Sequence, residues 1–287
     1  MQTDSGYQLV RLNNGICSVR SLADAETFHP VIGPVAEAEA LYVKQLRLRE
    51  RLQNHAGEFV IWDVGLGAAA NSLTVLRATQ DINCQIRLVS FDHTLEPLQF
   101  ALKNAEALGY FGGYETHLKE LLRTHRVAFQ DDQQSVNWEF HHGDFPTLLK
   151  SEIVNRKIQT PHAILFDAYS PARNPAMWTL PLFTNLLQLL DPQRTCALPT
   201  YSRSTILRVT LLLAGFFVGV GHATGEKEET TIAANDLSLI TELLDARWLD
   251  RARRSHSAEP MVEPVYRIAP LLTESWERLQ AHPQFKL

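Results

Sequence analysis

Cysteine is scarce: Cys17, Cys84 and Cys196 are the three thiols in 287 residues, and no two stand at C-x-x-C spacing. That argues against a disulfide framework or a zinc ribbon, and points to reduced thiols in a cytoplasmic protein. No apolar run approaches the roughly 20 residues that a bilayer-spanning helix needs. The most apolar one, 209–220, is too short and ends in Gly-Phe-Phe-Val, the pattern of a buried helix running into a strand. An N-terminal secretory pattern, an internal repeat and a low-complexity tract are all missing. There is no surplus of basic charge either. A net charge of −5 does not advertise nucleic-acid binding, so any such contact must come from local clusters. Neither H-x-x-x-H spacing nor a carboxylate triad occurs, and no metal is expected.

What is present is a strand that runs into glycines. Phe59-Val60-Ile61-Trp62-Asp63-Val64 is an apolar run ending on a carboxylate, followed by Gly65-Leu66-Gly67. From Asn71 the periodicity becomes helical. Strand, glycine turn and helix build a nucleotide site, because glycine admits close backbone approach and the helix N-terminus offers free N–H groups. Gly65, Gly67 and Ala70 also satisfy the dinucleotide fingerprint, so a nicotinamide enzyme is a rival reading. Asp63 discriminates between the two. A carboxylate there repels a pyrophosphate but attracts the ammonium of S-adenosylmethionine, by about 1 to 4 kcal/mol at roughly 4 Å. The second strand, 85–91, ends at Asp92, placed for ribose hydroxyls in either class.

The remaining pattern alternates strand and helix. A hairpin is expected over 8–20 around Asn13-Asn14-Gly15, then an irregular turn Phe28-His29-Pro30-Val31-Ile32-Gly33-Pro34 and one helix over 35–52. Helices follow at 95–108, 115–126, 180–190 and 205–214. Strands are expected at 136–141, 161–166, 195–200, near 216–222 and near 230–233. The last part holds one helix ending near Arg254 and then a proline-spaced segment. This βαβ alternation argues an α/β, Rossmann-like doubly wound sheet. The organisation expected is a hairpin and helix extension over 1–56, the catalytic sheet over 57–236 and a helical tail over 237–287.

After the fourth expected strand comes Asp167-Ala168-Tyr169-Ser170-Pro171-Ala172-Arg173-Asn174-Pro175-Ala176-Met177-Trp178. This resembles the D-G/A-F/Y-S/A-P-x-K/R-N-P-x-M-W signature of the methyltransferase domain in the enzyme family that completes 5-methylaminomethyl-2-thiouridine in tRNA. The resemblance extends upstream through Glu39-Ala40-Leu41-Tyr42-Val43, the Asp63 to Asn71 loop, Ser90-Phe91-Asp92 and Gly143-Asp144. Downstream, Gly225, Lys227 and Glu229 match a G-x-K-x-E segment. Two departures stand out. Ala69 replaces the family's third loop glycine, and Glu226 and Glu228 stand where basic residues are common. No second glycine fingerprint of a flavin-dependent oxidase domain is found, so a separate enzyme is expected to supply the aminomethyl precursor.

The resemblance implies a class I methyltransferase sheet, S-adenosyl-L-methionine as methyl donor and tRNA as partner. It implies a donor site of Asp63, Gly65, Gly67, Asn71, Asp92 and Asp144, with Asp144 reading the adenine; Asp144 equally suits an N-cap for the helix that follows. Asp167 is the candidate catalytic residue, holding and deprotonating an ammonium whose pKa resembles that of lysine, about 10.4. Glu39, Tyr169, Trp178 and Lys227 are the implied substrate contacts, the two aromatics as a stacking wall for an extruded uridine. Each has a plainer reading: Glu39 beside Glu37 as a solvated face, Trp178 as loop packing. Two basic clusters, Arg247, Arg251, Arg253 and Arg254 with His256, and Lys44, Arg47, Arg49 and Arg51, are phosphate contacts or solvated helix faces. The expected reaction is methyl transfer to the exocyclic amine of 5-aminomethyl-(2-thio)uridine at the wobble position. The rivals are methylation of a small-molecule or protein amine, a nicotinamide oxidoreductase, and a non-catalytic donor- or tRNA-binding protein.

Overall fold

The structure, a computed structural model, describes residues 6–155, 158–225 and 228–286. Its chain forms two compact units. One comprises Met1–Phe145, Ala163–Asp167 and Ala223–Glu228; the other comprises Pro146–His162, Ala168–His222 and Glu229–Leu287. The chain passes repeatedly from one unit to the other.

The first unit opens with the expected hairpin, β1 (Tyr7–Arg11) and β2 (Cys17–Ser21), in antiparallel register Tyr7 with Ser21. Its sheet is built on β3 (Glu58–Val64), whose residues after Glu58 are all buried. That burial on both faces is what an uninterrupted apolar run requires of a parallel strand. β4 (Gln85–Asp92) and β7 (Ala163–Phe166) pair parallel with β3 on opposite sides, and β6 (Gln134–His142) pairs parallel with β4. The chain thus runs from β3 outward in one direction through β4 and β6, then returns to the other side for β7. This reversal is a switch point, and the crevice beyond the carboxyl ends of β3 and β7 is where such sheets bind ligands.

β5 (Arg126–Asp131) completes this sheet antiparallel to β6. It was not expected: its burial alternates residue by residue along an exposed edge, and the preceding helix, Glu115–Thr124, ends at His125 in a left-handed conformation. The helix expected over 35–52 is also divided. An α-helix, Pro34–Ala38, passes into a π-helical segment, Glu39–Lys44, and Arg47 at φ +48° precedes a second α-helix, Leu48–Gln53. The wider π turn buries the consecutive residues Leu41, Tyr42 and Val43, each at most 4 % exposed, which one face of an α-helix does not do. The Tyr42 hydroxyl then donates to the carbonyl of Phe166, 3.2 Å away, tying this segment to the end of β7.

In the second unit β10 (Thr230–Ala234) lies between β8 (Ala197–Thr200) and β9 (Phe217–Gly221), antiparallel to both. Helix Thr205–Ala214 carries Arg208, only 1 % exposed, whose guanidinium donates to the Glu229 carboxylate (3.1 Å), the Thr231 hydroxyl (3.1 Å) and the Thr230 carbonyl (2.7 Å). Glu229, the last residue of the G-x-K-x-E segment, therefore pairs with a buried arginine. The C-terminal part holds the expected helix, Ala246–Arg253, and an unexpected one, Thr273–Gln280. Glu259 supports the latter's start, accepting from the Leu272 N–H (2.9 Å) and the Ser275 hydroxyl (2.8 Å). Among the described residues no helix is long and apolar enough to cross a membrane.

Candidate active site

The glycine loop begins where β3 ends and is fastened to the end of β4. The N–H groups of Gly65 and Leu66 donate to the Phe91 carbonyl at 3.0 and 3.3 Å, and the Gly67 N–H donates to Asp92 Oδ2 at 2.9 Å. Gly65 (φ +95°) and Gly67 (φ +51°) both need the left-handed region. Ala69 adopts it too, at φ +61°, and stands directly before helix Ala70–Thr79. The loop therefore keeps a glycine-like path at the position where the family's third glycine is missing, at a strain of about 1 kcal/mol. A Cβ added to Gly67 would lie 3.3 Å from Phe28 Cε2, so the segment after the hairpin closes over the loop.

Asp63 is 1 % exposed. Its Oδ2 accepts from the hydroxyls of Ser72 (2.6 Å) and Ser90 (3.0 Å), while Oδ1 is buried with no hydrogen-bond partner among the described residues. Burial is the main cause that raises its pKa from 3.8 to about 7; the two serines oppose the rise, and the charges of Asp167 and Asp92 add to it. A folded pKa above the ordinary one means that the unfolded chain gives up this proton first. The cost to stability sets in as pH rises past about 3.8 and is complete above about 7. Asp63→Asn is thus expected to melt higher than wild type above pH 7 without ligand, the gap closing on acidification. It is expected also to bind a cationic donor about 1 to 3 kcal/mol more weakly. Thermal scans against pH, paired with calorimetry, check both signs; a variant less stable than wild type at alkaline pH refutes the burial account.

Asp167 follows β7 immediately, and its N–H donates to the Val64 carbonyl at 3.0 Å. Its Oδ2 accepts from Asn71 Nδ2 at 2.7 Å and lies 3.5 Å from His29 Nε2. The other ring nitrogen of His29, Nδ1, lies 3.3 Å from Glu37 Oε1. Ligand atoms of His29, Glu37 and Asp167 all fall within 4.8 Å of one another, the spacing of a possible metal cluster. The imidazole, however, stands between the carboxylates with one nitrogen toward each, which is the geometry of a doubly ion-paired ring.

The structure thus brings Asp63, Gly65, Gly67, Asn71, Asp92 and Asp167 together in one unit. Asp144 is exposed beyond the end of β6, next to Gly143, whose N–H donates to the Asp92 carbonyl at 2.9 Å. Glu39 does not join Asp167; it stands 3.9 Å from Lys44. The acidic residue that reaches the cluster is Glu37, 4 % exposed. Trp178 is 2 % exposed, and its indole N–H donates to the Tyr169 carbonyl at 2.7 Å. With its ring buried it offers no stacking wall: it fixes the backbone of Tyr169, which is itself half-buried. Lys227 lies outside the described residues. His29 and Glu37 were missed as site residues. The only signal was a histidine in an apolar turn eight residues before a glutamate at a helix start, which has no characteristic spacing.

The family model for S-adenosyl-L-methionine-dependent methyltransferases matches residues 112–236, a span that includes β7 and Asp167. The chain is an S-adenosyl-L-methionine-dependent methyltransferase. It is related to the tRNA 5-methylaminomethyl-2-thiouridine biosynthesis bifunctional protein MnmC. The match to the Methylibium petroleiphilum protein is 30 % identical over 72 % of this chain and 31 % of that protein. The match to the Aeromonas hydrophila protein is 29 % identical over 68 % of this chain and 30 % of that protein. The chain therefore spans under a third of the length of these relatives. In fold it is similar to MNMC2 from Aquifex aeolicus, with a TM-score of 0.68, 19 % identity, and 97 % of this chain and 84 % of that one covered.

The residues present fit the methyl donor. Two buried acceptors, Asp63 Oδ1 and Asn71 Oδ1, have no hydrogen-bond partner among the described residues, which suits a ligand bringing an ammonium and other N–H donors. Asp63, Asp92 and Asp167 stand at the carboxyl ends of three neighbouring strands, which suits a ligand carrying two positive charges. The bare backbone at Gly65 and Gly67 suits a ligand that packs against the loop.

Proposed function

We propose that the chain methylates the exocyclic amine of 5-aminomethyl-(2-thio)uridine at the wobble position of tRNA. The observation that carries this reading is Asp167, a carboxylate at the switch point of the sheet, gripped by Asn71 and followed by the loop that ends in Trp178. The MnmC relatives, which are tRNA 5-methylaminomethyl-2-thiouridine biosynthesis proteins, support the same substrate.

When bound, the donor supplies a methyl on a sulfonium, which leaves as a neutral thioether. The acceptor arrives as an ammonium, and Asp167 draws it in by charge and accepts one of its protons. The freed lone pair forms the N–C bond while the C–S pair stays with sulfur. Asn71, donating to Asp167 Oδ2, fixes the carboxylate in the plane it needs for this. Asp63, Asp92, Gly65, Gly67 and Asn71 would hold the donor, and Asp144 its adenine end. Tyr169 is the aromatic left to contact the uridine. The test is mass spectrometry of wobble nucleosides after incubating the chain and donor with tRNA carrying 5-aminomethyl-uridine. A mass gain of one methyl at that base is expected; no gain there, with transfer to a free or protein amine instead, refutes the substrate.

The tRNA surface proposed is the helix Ala246–Arg253. Trp248, Leu249 and Ala252 are its buried side, while Arg247, Arg251, Arg253 and the following Arg254 are exposed. Arg253 rests over the Trp276 ring at 4.8 Å, which holds its guanidinium at the surface. Reversal of Arg251, Arg253 and Arg254 to glutamate is expected to weaken tRNA binding and flatten its salt dependence, by about one unit of slope per lost phosphate contact. Donor binding should be untouched. A salt titration that superimposes on wild type leaves this helix as a solvated face.

A further inference from the structure

His29 has no role in the reaction as described so far, yet its Nε2 lies 3.5 Å from Asp167 Oδ2. It lies in the turn between β2 and helix Pro34–Ala38, held at φ +48°. The Phe28 N–H donates to the Val19 carbonyl at 2.8 Å, and the Phe28 carbonyl accepts from the Ser18 hydroxyl. The backbone before the ring is thereby fixed to β2. The His29 side chain is 8 % exposed and that of Glu37 is 6 % exposed, so water does not screen their contact. Both ring nitrogens face carboxylates, which only accept. A neutral imidazole has one N–H and one lone pair, and would turn that lone pair on one of the two anions. Two ionised acceptors are best met by two donors, that is, by a ring carrying both protons.

We propose that His29, held as an imidazolium between Glu37 and Asp167, is a positioning residue that keeps the Asp167 carboxylate ionised and aimed at the acceptor amine. The inference rests on the function proposed above. A ring already holding both protons does not relay a third. Its part is electrostatic: a fixed positive charge 3.5 Å from Oδ2 favours the anion that must pair with an ammonium, and Glu37 keeps the ring protonated and oriented. The groups facing it are Glu37 on its helix, Asp167 after β7 and, beyond Asp167, Asp63 at the end of β3. Tyr110, whose hydroxyl donates to the Ala68 carbonyl at 3.1 Å, lines the same small cavity. Asp167 and Glu37 raise the pKa of His29 to about 9, against a burial that lowers it.

The test is the pH dependence of single-turnover methyl transfer to aminomethyl-uridine tRNA at saturating donor. For the wild-type chain the rate should climb as pH rises and the amine loses its proton, then break near pH 9 as His29 does. His29→Gln should be about tenfold slower at neutral pH and lack the break. Glu37→Gln, which keeps the shape, should move the break to lower pH. A His29→Gln profile that matches wild type overturns the proposal, as does an unmoved break in Glu37→Gln.

Nitrogen NMR of the ligand-free wild-type chain provides a readout that needs neither variant nor substrate. Both His29 ring nitrogens should be protonated at neutral pH. A neutral tautomer there overturns the proposal, and so does stoichiometric Zn²⁺ retained by wild type and lost in His29→Gln. Failure to methylate this tRNA would count against the proposed substrate, whereas the NMR titration decides the state of His29 alone.

Discussion

Asp167→Asn should cut methyl transfer at neutral pH by about 10²-fold or more, the loss expected when a general base is removed. The substitution keeps the shape of the side chain, and an amide oxygen can still accept from Asn71 Nδ2, now at 2.7 Å from the carboxylate. What disappears is the charge. The variant neither draws in the ammonium nor takes its proton, so the loss should fall on turnover, while donor affinity measured by calorimetry changes little. An alkylammonium titrates near the lysine value of about 10.4, so part of the activity should return at high pH, where the amine is already free. That recovery separates a proton-accepting role from a purely structural one, because a misfolded loop would not be repaired by alkali. Near wild-type turnover at neutral pH would remove Asp167 from the mechanism, and lost donor binding would reassign it to the cofactor.

The parts of this site that were legible in the sequence are those whose signals are local. Asp63 ends an apolar run and precedes two glycines, Asp92 ends the next strand, and Asp167 opens a long and unusual loop; each one's place at the sheet edge follows from a few adjacent residues. Glu37 and Glu39 show where locality fails. They are two residues apart, roughly 200° around any helix, so one of them at most can face His29, and nothing local says which; the structure turns Glu37 there and leaves Glu39 beside Lys44. The π turn at Glu39 that buries Leu41, Tyr42 and Val43 is equally hidden from local reading, since the Tyr42 bond to Phe166 spans 124 positions of sequence. Trp178 misled for a related reason: the motif marks it as important without saying whether its ring faces a ligand or the core. β5 and helix Thr273–Gln280 are short and lack a long apolar run of their own; pairing with the neighbouring β6 fixes one, and hydrogen bonds to Glu259 support the start of the other.

Gly67→Val should abolish donor binding at concentrations that saturate wild type, while the sheet remains folded. Two independent effects act at this one position. Gly67 sits at φ +51°, where a β-branched residue is a backbone outlier costing at least about 1 to 2 kcal/mol. A Cβ there would also approach Phe28 Cε2 to 3.3 Å, and the two methyls of valine extend further toward the same ring or toward the space the ligand needs. Relief of either strain moves the Gly67 N–H away from Asp92 Oδ2, now 2.9 Å distant, and so disturbs the carboxylate assigned to the ribose. Because each 1.4 kcal/mol is a factor of ten in affinity, the combined effect is expected at about 10²-fold or more. Gly67→Ala should fall between, since it carries the backbone strain and the single contact but not the branches. Calorimetry with S-adenosylmethionine across the series glycine, alanine, valine should therefore show a graded loss, with circular dichroism confirming that valine has not unfolded the chain. Equal affinity for all three would mean that the donor does not bind at the β3 glycine turn.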